Sequence, residues 1–380
     1  MKRKICVLTT SRADYNHLFV LMNALKSSKG IDFRLIVSGM HTLRKYGYTC
    51  QEIVNDGFKP DCIVNSYQKN TNAKDIIKSM SIQLDKAYDA MIKINPDMLV
   101  VLGDRYDMYP FALASHIIGI PLVHFHGGEV TSGAIDDALR HSVSKLSDIH
   151  FVANQEFKKR LIQLGERKKY IFNIGSLGID SIRKIKFKKR DYVNNIDVKI
   201  KNNKYFMISL HPETINGKNI SLSENLLKSL KKYSQYMQIF SYPNSDSESN
   251  IILKHIKKYV SYNDNAILHQ SYGRIDYLHL LKYSEILIGN SSSGFVEAPY
   301  LETPTVNVGT RQKGRPTTDS IFNSSYSSAS IISNINLALN YKKRRKNINY
   351  KGTGSVDKVL QILKTIKIDN IKNKSFVDIT

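Results

Sequence analysis

Asp104, His126, Glu129 and Asp136 are side chains of the kinds that take up and return protons, and the first three follow closely on apolar runs. Residues 98–102 are followed by Gly-Asp-Arg, residues 120–125 are followed by His-Gly-Gly-Glu, and the pair Asp136-Asp137 stands where a helix should begin. Several ionisable groups at adjacent strand ends are unfavourable as structure and useful as acid–base chemistry. In an open α/β sheet, ligands bind outside the carboxyl ends of the strands, so these four are expected to converge on one crevice.

A second set of residues has the character of an anion site. Arg12, in the run TSRADY, follows the first apolar run and precedes a helix. A guanidinium fork beside helix N–H groups there suits a phosphate. Asp14 in the same run has a plainer role as a helix cap. Asn16, close by, is taken with Arg12 as a substrate-binding candidate. His211 heads HPET, where the proline ends strand pairing and holds the imidazole at the strand mouth, placed to donate to a phosphate or relay a proton. In GNSSSG (residues 289–294), Ser291 and Ser292 open a helix and suit an anion, and Glu297 one turn on can take ribose hydroxyls. Arg311 and Arg315 add two phosphate partners, and Arg105 adjoins Asp104. GxGxxG and Walker A runs are absent, which excludes the usual NAD and P-loop sites. His124 and His126 share a strand face only while the strand lasts, and no further ligand spacing accompanies them. No metal and no cofactor are therefore expected.

The elements that must hold these residues alternate. Strand-like runs at 4–9, 33–38, 98–102, 121–125, 149–152 and 170–174 are separated by helix-like segments at 17–27, 71–94, 106–118, 134–146 and 155–164. Short, continuous, β-branched runs indicate a parallel sheet buried on both faces. Residues 181–203 lose the pattern. It then resumes with strands at 205–210, 238–241, 266–269, 286–288 and 305–308 and helices at 221–233, 247–260, 274–281 and from about 294. The reading is α/β, two doubly wound Rossmann-like domains in a GT-B-like arrangement with a ligand cleft between them. The expected division is 1–178, a basic linker at 179–203, and a second, nucleotide-binding domain at 204–354. An amphipathic helix near 355–367 would pack back on the first domain, and the tail after Asn370 is expected to fray.

A chain of 380 residues exceeds one ordinary core, and its 42% apolar and 23% charged content is that of a globular protein. No apolar run approaches a membrane span, and the basic start leads straight into a short strand rather than a signal peptide. Cys6, Cys50 and Cys62 lack CxxC spacing, which fits reduced thiols and a cytoplasmic location. The net charge of +23 raises nucleic-acid binding as a reading. The basic clusters at 183–190 and 342–346 come without a zinc finger, RNP motif or helix-turn-helix. Steering of an anionic small molecule such as a nucleotide sugar accounts for the charge, and neither nucleic acid nor membrane is expected as a partner.

The motifs SRADY, GDRY, HFHGGE, IDDALRH, HPET, GNSSSG-x-x-EAP and GTRQKGR occur in an order, from about Lys4 to Arg315, that resembles the hydrolysing UDP-N-acetylglucosamine 2-epimerases. These are the enzymes of the bacterial sialic-acid pathway and of the epimerase half of the animal bifunctional protein. The resemblance implies UDP in the cleft and conversion of UDP-N-acetylglucosamine and water to N-acetylmannosamine and UDP. It implies anti-elimination to a 2-acetamidoglucal, then addition of water with inversion at C2. It places Asp104 and Asp136 at acid/base positions, Arg12, His211, Ser291 and Arg315 on the UDP, Glu297 on the ribose, and His41 and Asn244 in loops facing the sugar. Some members carry HxEGGE where this chain has His126, so either His126 or Glu129 serves that role and the C2 base stays open. A related class acts on a 2,4-diacetamido-2,4,6-trideoxy UDP-sugar, and homodimers or homotetramers are usual in the family. Non-hydrolysing relatives usually have HVEAG and a TDSGG-type turn instead.

Overall fold

The computed structural model describes residues 2–67, 72–197, 199–200, 203–215, 217–342, 349–352, 354–372 and 374–378. Two parallel sheets organise them. The first joins seven strands: β1 (Arg3–Thr9), β2 (Ile31–Val37), β3 (Cys62–Ile63), β4 (Met98–Leu102), β5 (Leu122–Phe125), β6 (Ile149–Val152) and β7 (Ile171–Asn173), in the order β3-β2-β1-β4-β5-β6-β7. The second joins six: β8 (Tyr205–Ser209), β9 (Met237–Ser241), β10 (Ala266–His269), β11 (Ile286–Gly289), β12 (Thr305–Val308) and β13 (Ile321–Ser324), in the order β10-β9-β8-β11-β12-β13. Each order reverses once, between β1 and β4 and between β8 and β11, and these are the topological switch points where α/β sheets bind ligands.

Continuous apolar strands follow from burial on both faces. In β1, Ile5 and Val7 enter one core while Cys6 and Leu8 enter the core on the opposite side. The helix Arg12–Ser27 starts at a capping box, with Ser11 accepting from the Asp14 N–H and the Asp14 carboxylate returning to the Ser11 N–H. The plainer reading of Asp14 is therefore what the geometry shows. The helix Val356–Thr365 buries Val356, Val359 and Leu363 in the core beneath β1.

Several expectations need correction. The described part of the stretch 179–203, expected as a basic linker, is packed against the rest of the chain. The helix Leu177–Arg183 is buried along most of its length, and Val193 and Ile200 are buried in the core that also holds Tyr205 and Met207. Among the described residues, the tail after Asn370 is anchored rather than frayed. Ile371 is buried, the Lys374 ammonium pairs with Glu166 at 2.6 Å and donates to the carbonyls of Lys145 and Ser147, and the Val377 N–H donates to the Gly165 carbonyl. The strands β3 and β13 and the helix Ser328–Leu339 went unread. The expected start of a helix at Thr71 and residues 343–346 of the second basic cluster lie outside the described residues. Among the described residues, no helix is long and apolar enough to cross a membrane.

Candidate functional site

The carboxyl ends of the two sheets face each other across a cleft. The loops after β1, β4, β8 and β11, which are the switch-point loops, all reach it. Its walls include Asn16, Asp104, Arg105, Asp136, His211 and Asn244, and also Ser291, Ser292, Glu297 and Arg315. A contiguous recess under the first sheet adds His126 and Glu129 and shares Asp104, Ser292 and Arg315 with the main cleft. Arg12 lines the opposite extension, where its guanidinium donates to the Gln270 carbonyl across the interface.

On the first-sheet side, each acid/base candidate has a distinct partner. Asp104, just past β4, is ion-paired with the buried Arg140. Arg140 lies four residues after Asp136 on the helix Asp136–Leu146, so that one helix carries a cleft carboxylate and the counter-ion of another. His126 follows β5 in a left-handed conformation, φ 65°, which costs about 1 kcal/mol in a residue with a Cβ. Its Nδ1 lies 2.7 Å from Glu129 Oε1. Glu129 Oε2 accepts from Arg315 at 2.7 Å and from the Tyr350 hydroxyl at 3.1 Å. Burial works to raise the Glu129 carboxyl, but Arg315, His126 and Tyr350 together hold it down at about 2. Glu129 is thus an anion with both oxygens committed, and His126 is the member of the pair left facing the recess. Asp136 has the opposite character. Burial and the nearby Asp246 carboxylate push it up to about 6, against the pull of Arg311.

His124 does not join His126. It lies within β5, fully buried, with Nε2 2.7 Å from the Gly103 carbonyl and Nδ1 3.1 Å from Ser144 Oγ. The two imidazoles part where the strand ends.

The second sheet supplies donors. The His211 backbone is clasped by Asn290, which accepts from its N–H at 2.7 Å and donates to its carbonyl at 2.9 Å. Gly289 permits that approach: its φ is 137°, and a Cβ there would stand 2.0 Å from the Ser209 carbonyl oxygen. The Asn244 N–H donates to His211 Nδ1 at 3.0 Å, which leaves Nε2 as the protonated nitrogen of a neutral ring. Burial, reinforced by Arg311, lowers this imidazole to about 3. His211 is therefore a neutral ring at neutral pH, with Nε2 in a long 3.3 Å contact with Ser209 Oγ that a phosphate oxygen would replace, and positive charge must come from the arginines. Burial raises the Glu297 carboxyl above its ordinary range.

His41 is a correction. It is buried beneath the loops rather than facing the cleft, with Nε2 3.1 Å from Thr9 Oγ1 and Nδ1 2.7 Å from Thr49 Oγ1. Both nitrogens are used by the fold. Arg105 does reach the cleft, but its guanidinium is spent on Asp107, Asp246 and Ser245.

Sequence reasoning missed His17, Arg140, Asp246 and Tyr350. His17 lies in the cleft wall, Nε2 3.5 Å from Glu297 Oε1 and its ring 5.2 Å from that of His126. Ala13, Asn16 and His17 occupy one helix face at i, i+3, i+4 spacing, a signal that was available. Gly178 makes room for the ring, since a Cβ there would stand 2.0 Å from His17 Nδ1.

Residues 23–364 match the family model described as UDP-N-acetylglucosamine 2-epimerase. The chain is 36% identical over 390 residues, covering 100% of both chains, to a GDP/UDP-N,N′-diacetylbacillosamine 2-epimerase (hydrolyzing) of Campylobacter jejuni. It is 34% identical to the polysialic acid biosynthesis protein P7 of Escherichia coli, covering 99% of this chain and 98% of that one. The fold matches a crystal structure of a Neisseria meningitidis UDP-GlcNAc 2-epimerase bound to UDP-GlcNAc with a TM-score of 0.79 at 18% identity, over 95% of this chain and 99% of that one. With cleft carboxylates on one sheet, anion donors on the other and these matches along its length, the chain belongs to the UDP-N-acetylglucosamine 2-epimerase family.

Proposed function

We propose that this protein is a hydrolysing 2-epimerase of a UDP-2-acetamido sugar, in the first reading UDP-N-acetylglucosamine, releasing N-acetylmannosamine and UDP. The observation that carries the reading is the opposition across one cleft of Asp104 and Asp136 to Ser291, Ser292, His211 and Arg311. The C2 proton of such a sugar is weakly acidic, so its removal needs a positioned base. Abstraction of that proton forms the C1–C2 double bond, and the C1–O electron pair leaves with UDP. The anionic leaving group needs preorganised donors, which Arg12, Arg311, Ser291 and the His211 N–H supply. Water then adds across the double bond, its oxygen to C1 and a proton to C2 on the opposite face. That second step needs groups that can both release and accept a proton. Asp136, with its carboxyl near 6, is suited to do both. His126, oriented by Glu129, fills the remaining acid/base place, and Asp104 with its Arg140 partner completes the set. Glu297 binds the ribose hydroxyls beside His17.

A second reading has one specific observation in its favour. The Campylobacter jejuni relative is named for N,N′-diacetylbacillosamine, a sugar bearing acetamido groups at C2 and C4 and no C6 hydroxyl. Parallel measurement of kcat/KM for UDP-N-acetylglucosamine and for the UDP-2,4-diacetamido-2,4,6-trideoxy sugar, following UDP release, decides between them. A preference of tenfold or more for the former, about 1.4 kcal/mol, is expected from the first reading. The reverse preference establishes the second, and UDP release from neither overturns both.

Gly178→Ala is expected to push His17 toward the ribose end of the cleft. The kcat/KM should fall by about tenfold or more, and stability by about 1–3 kcal/mol, read by steady-state kinetics and denaturant unfolding. Unchanged kinetics would remove His17 from the binding surface.

A further inference from the structure

Asp246 follows β9 and belongs to none of the motifs that pointed to the site. It is 4% exposed, buried at the interface of the two halves. Its Oδ1 accepts from Arg105 Nη1 at 3.0 Å. Its Oδ2 stands 3.5 Å from Arg311 Nη2, and the same nitrogen stands 3.6 Å from Asp136 Oδ2. Arg105 and Asp136 come from the first sheet's loops, Asp246 and Arg311 from the second's. The charges run Arg105, Asp246, Arg311, Asp136 with alternating sign, and the Arg105–Asp246 and Arg311–Asp136 contacts both cross the cleft.

We propose that Asp246 is a positioning residue that divides Arg311 between itself and the catalytic Asp136, while its bond to Arg105 holds the two halves closed over the reacting sugar. The catalytic part of this inference rests on the reaction proposed above. Its geometric part does not.

The distances support the sharing. A charge-assisted N–H···O bond made by one carboxylate alone closes to about 2.7–2.9 Å, and Arg311 reaches neither partner that closely. Two buried carboxylates beside one divided cation cannot both be fully compensated, so the proton affinity of one rises. Burial works to raise Asp246, but Arg105, Arg311 and His211 hold it below its ordinary range. Asp136 takes the consequence and stands near 6. The groups facing Asp136 are Asp246 and Arg311 from the second half and Arg105 and Asp107 from the loop after β4. On its own helix lie Asp137 and Arg140, the latter committed to Asp104. Asp246 is thus the carboxylate whose removal frees Arg311 for Asp136.

The test is a carbon-13 NMR titration of the full-length protein labelled at aspartate carboxyl carbons, with the Asp136 resonance assigned from Asp136→Asn. In the wild type the Asp136 midpoint is expected near pH 6. In Asp246→Asn it should move to lower pH by about one pH unit or more. Asp246→Glu, which keeps the charge, should restore it. Asp246→Ser removes the same charge with a smaller side chain and should shift the midpoint as Asn does, whichever variant folds better. An unmoved midpoint in both neutral variants would overturn the proposal. Where UDP release is seen, the limb of the kcat/KM pH profile belonging to Asp136 should move the same way. The titration needs no turnover, so a protein without UDP release but with the expected shift would count against the reaction and not against the role of Asp246.

Discussion

Asp104→Asn should bind UDP with little change and lose about three orders of magnitude or more in turnover. General acid–base groups contribute about 10²–10⁴-fold, and a carboxamide cannot exchange a proton in the same way. UDP binding should survive because Asp104 is on the first-sheet wall, whereas Ser291, His211 and Arg311 come from the loops of the second. The substitution also touches the fold. Asp104 is the ion partner of Arg140, which is 1% exposed. An asparagine oxygen can still accept from that guanidinium, so the stability loss should stay near 1–3 kcal/mol. UDP affinity by calorimetry and single-turnover UDP release separate the two effects. Full turnover in Asp104→Asn would remove Asp104 from the chemistry, and lost UDP binding would mean a structural defect.

Glu129→Gln is expected to impair both catalysis and folding. The carboxylate joins His126, Arg315 and Tyr350 at one buried point, so the variant leaves the Arg315 guanidinium without its counter-charge. It also removes the anion that orients the His126 ring. Turnover should fall by about 10²-fold or more. The stability loss should depend on pH in a definite direction. Glu129 in the folded chain is held at about 2, below its ordinary 4.5. A depressed carboxylate contributes stability that is present above its unfolded value and is lost as pH falls through its folded value. The difference corresponds to about 3 kcal/mol. Wild type should therefore exceed Glu129→Gln by about that amount at neutral pH. The gap should narrow as the pH is lowered from about 5 toward 3, followed by urea unfolding. A gap that stays constant with pH would show that Glu129 stabilises by packing and not by charge.

The strand ends were legible because the physics there is local. Buried parallel strands must be continuous apolar runs, and the polar residues that follow each run stand at the sheet's mouth, so Asp104, His211 and Ser291 could be placed from the sequence alone. The helix Ser328–Leu339 was hidden by its serines and asparagines, which read as turn formers. Yet Ile331, Ile335 and Ala338 share one buried face at helical spacing. Strand β3 is two residues long, too short to carry a period. The tail looked unstructured because its anchor is a lysine binding carbonyl groups, an interaction with no sequence pattern.

The site divides in the same way. Arg140 is four residues from Asp136 and could have been inferred from helix geometry. Tyr350 reaches Glu129 from far along the chain, and no spacing encodes that contact. His41 was misjudged because a loop histidine near a strand end can face inward as readily as outward. Thr9 and Thr49, which turn it inward, are separated from it by chain segments whose folding decides the matter. The charge chain through Asp246 was invisible for a related reason, since each of its contacts joins residues from different strand ends.

The most direct measurement is proton NMR of the full-length protein with UDP-N-acetylglucosamine in deuterated water. Elimination followed by addition of water should yield free N-acetylmannosamine carrying deuterium at C2, together with stoichiometric UDP. A UDP-linked 2-epimer, or a free sugar that keeps its original C2 proton, would contradict the hydrolysing elimination–addition route.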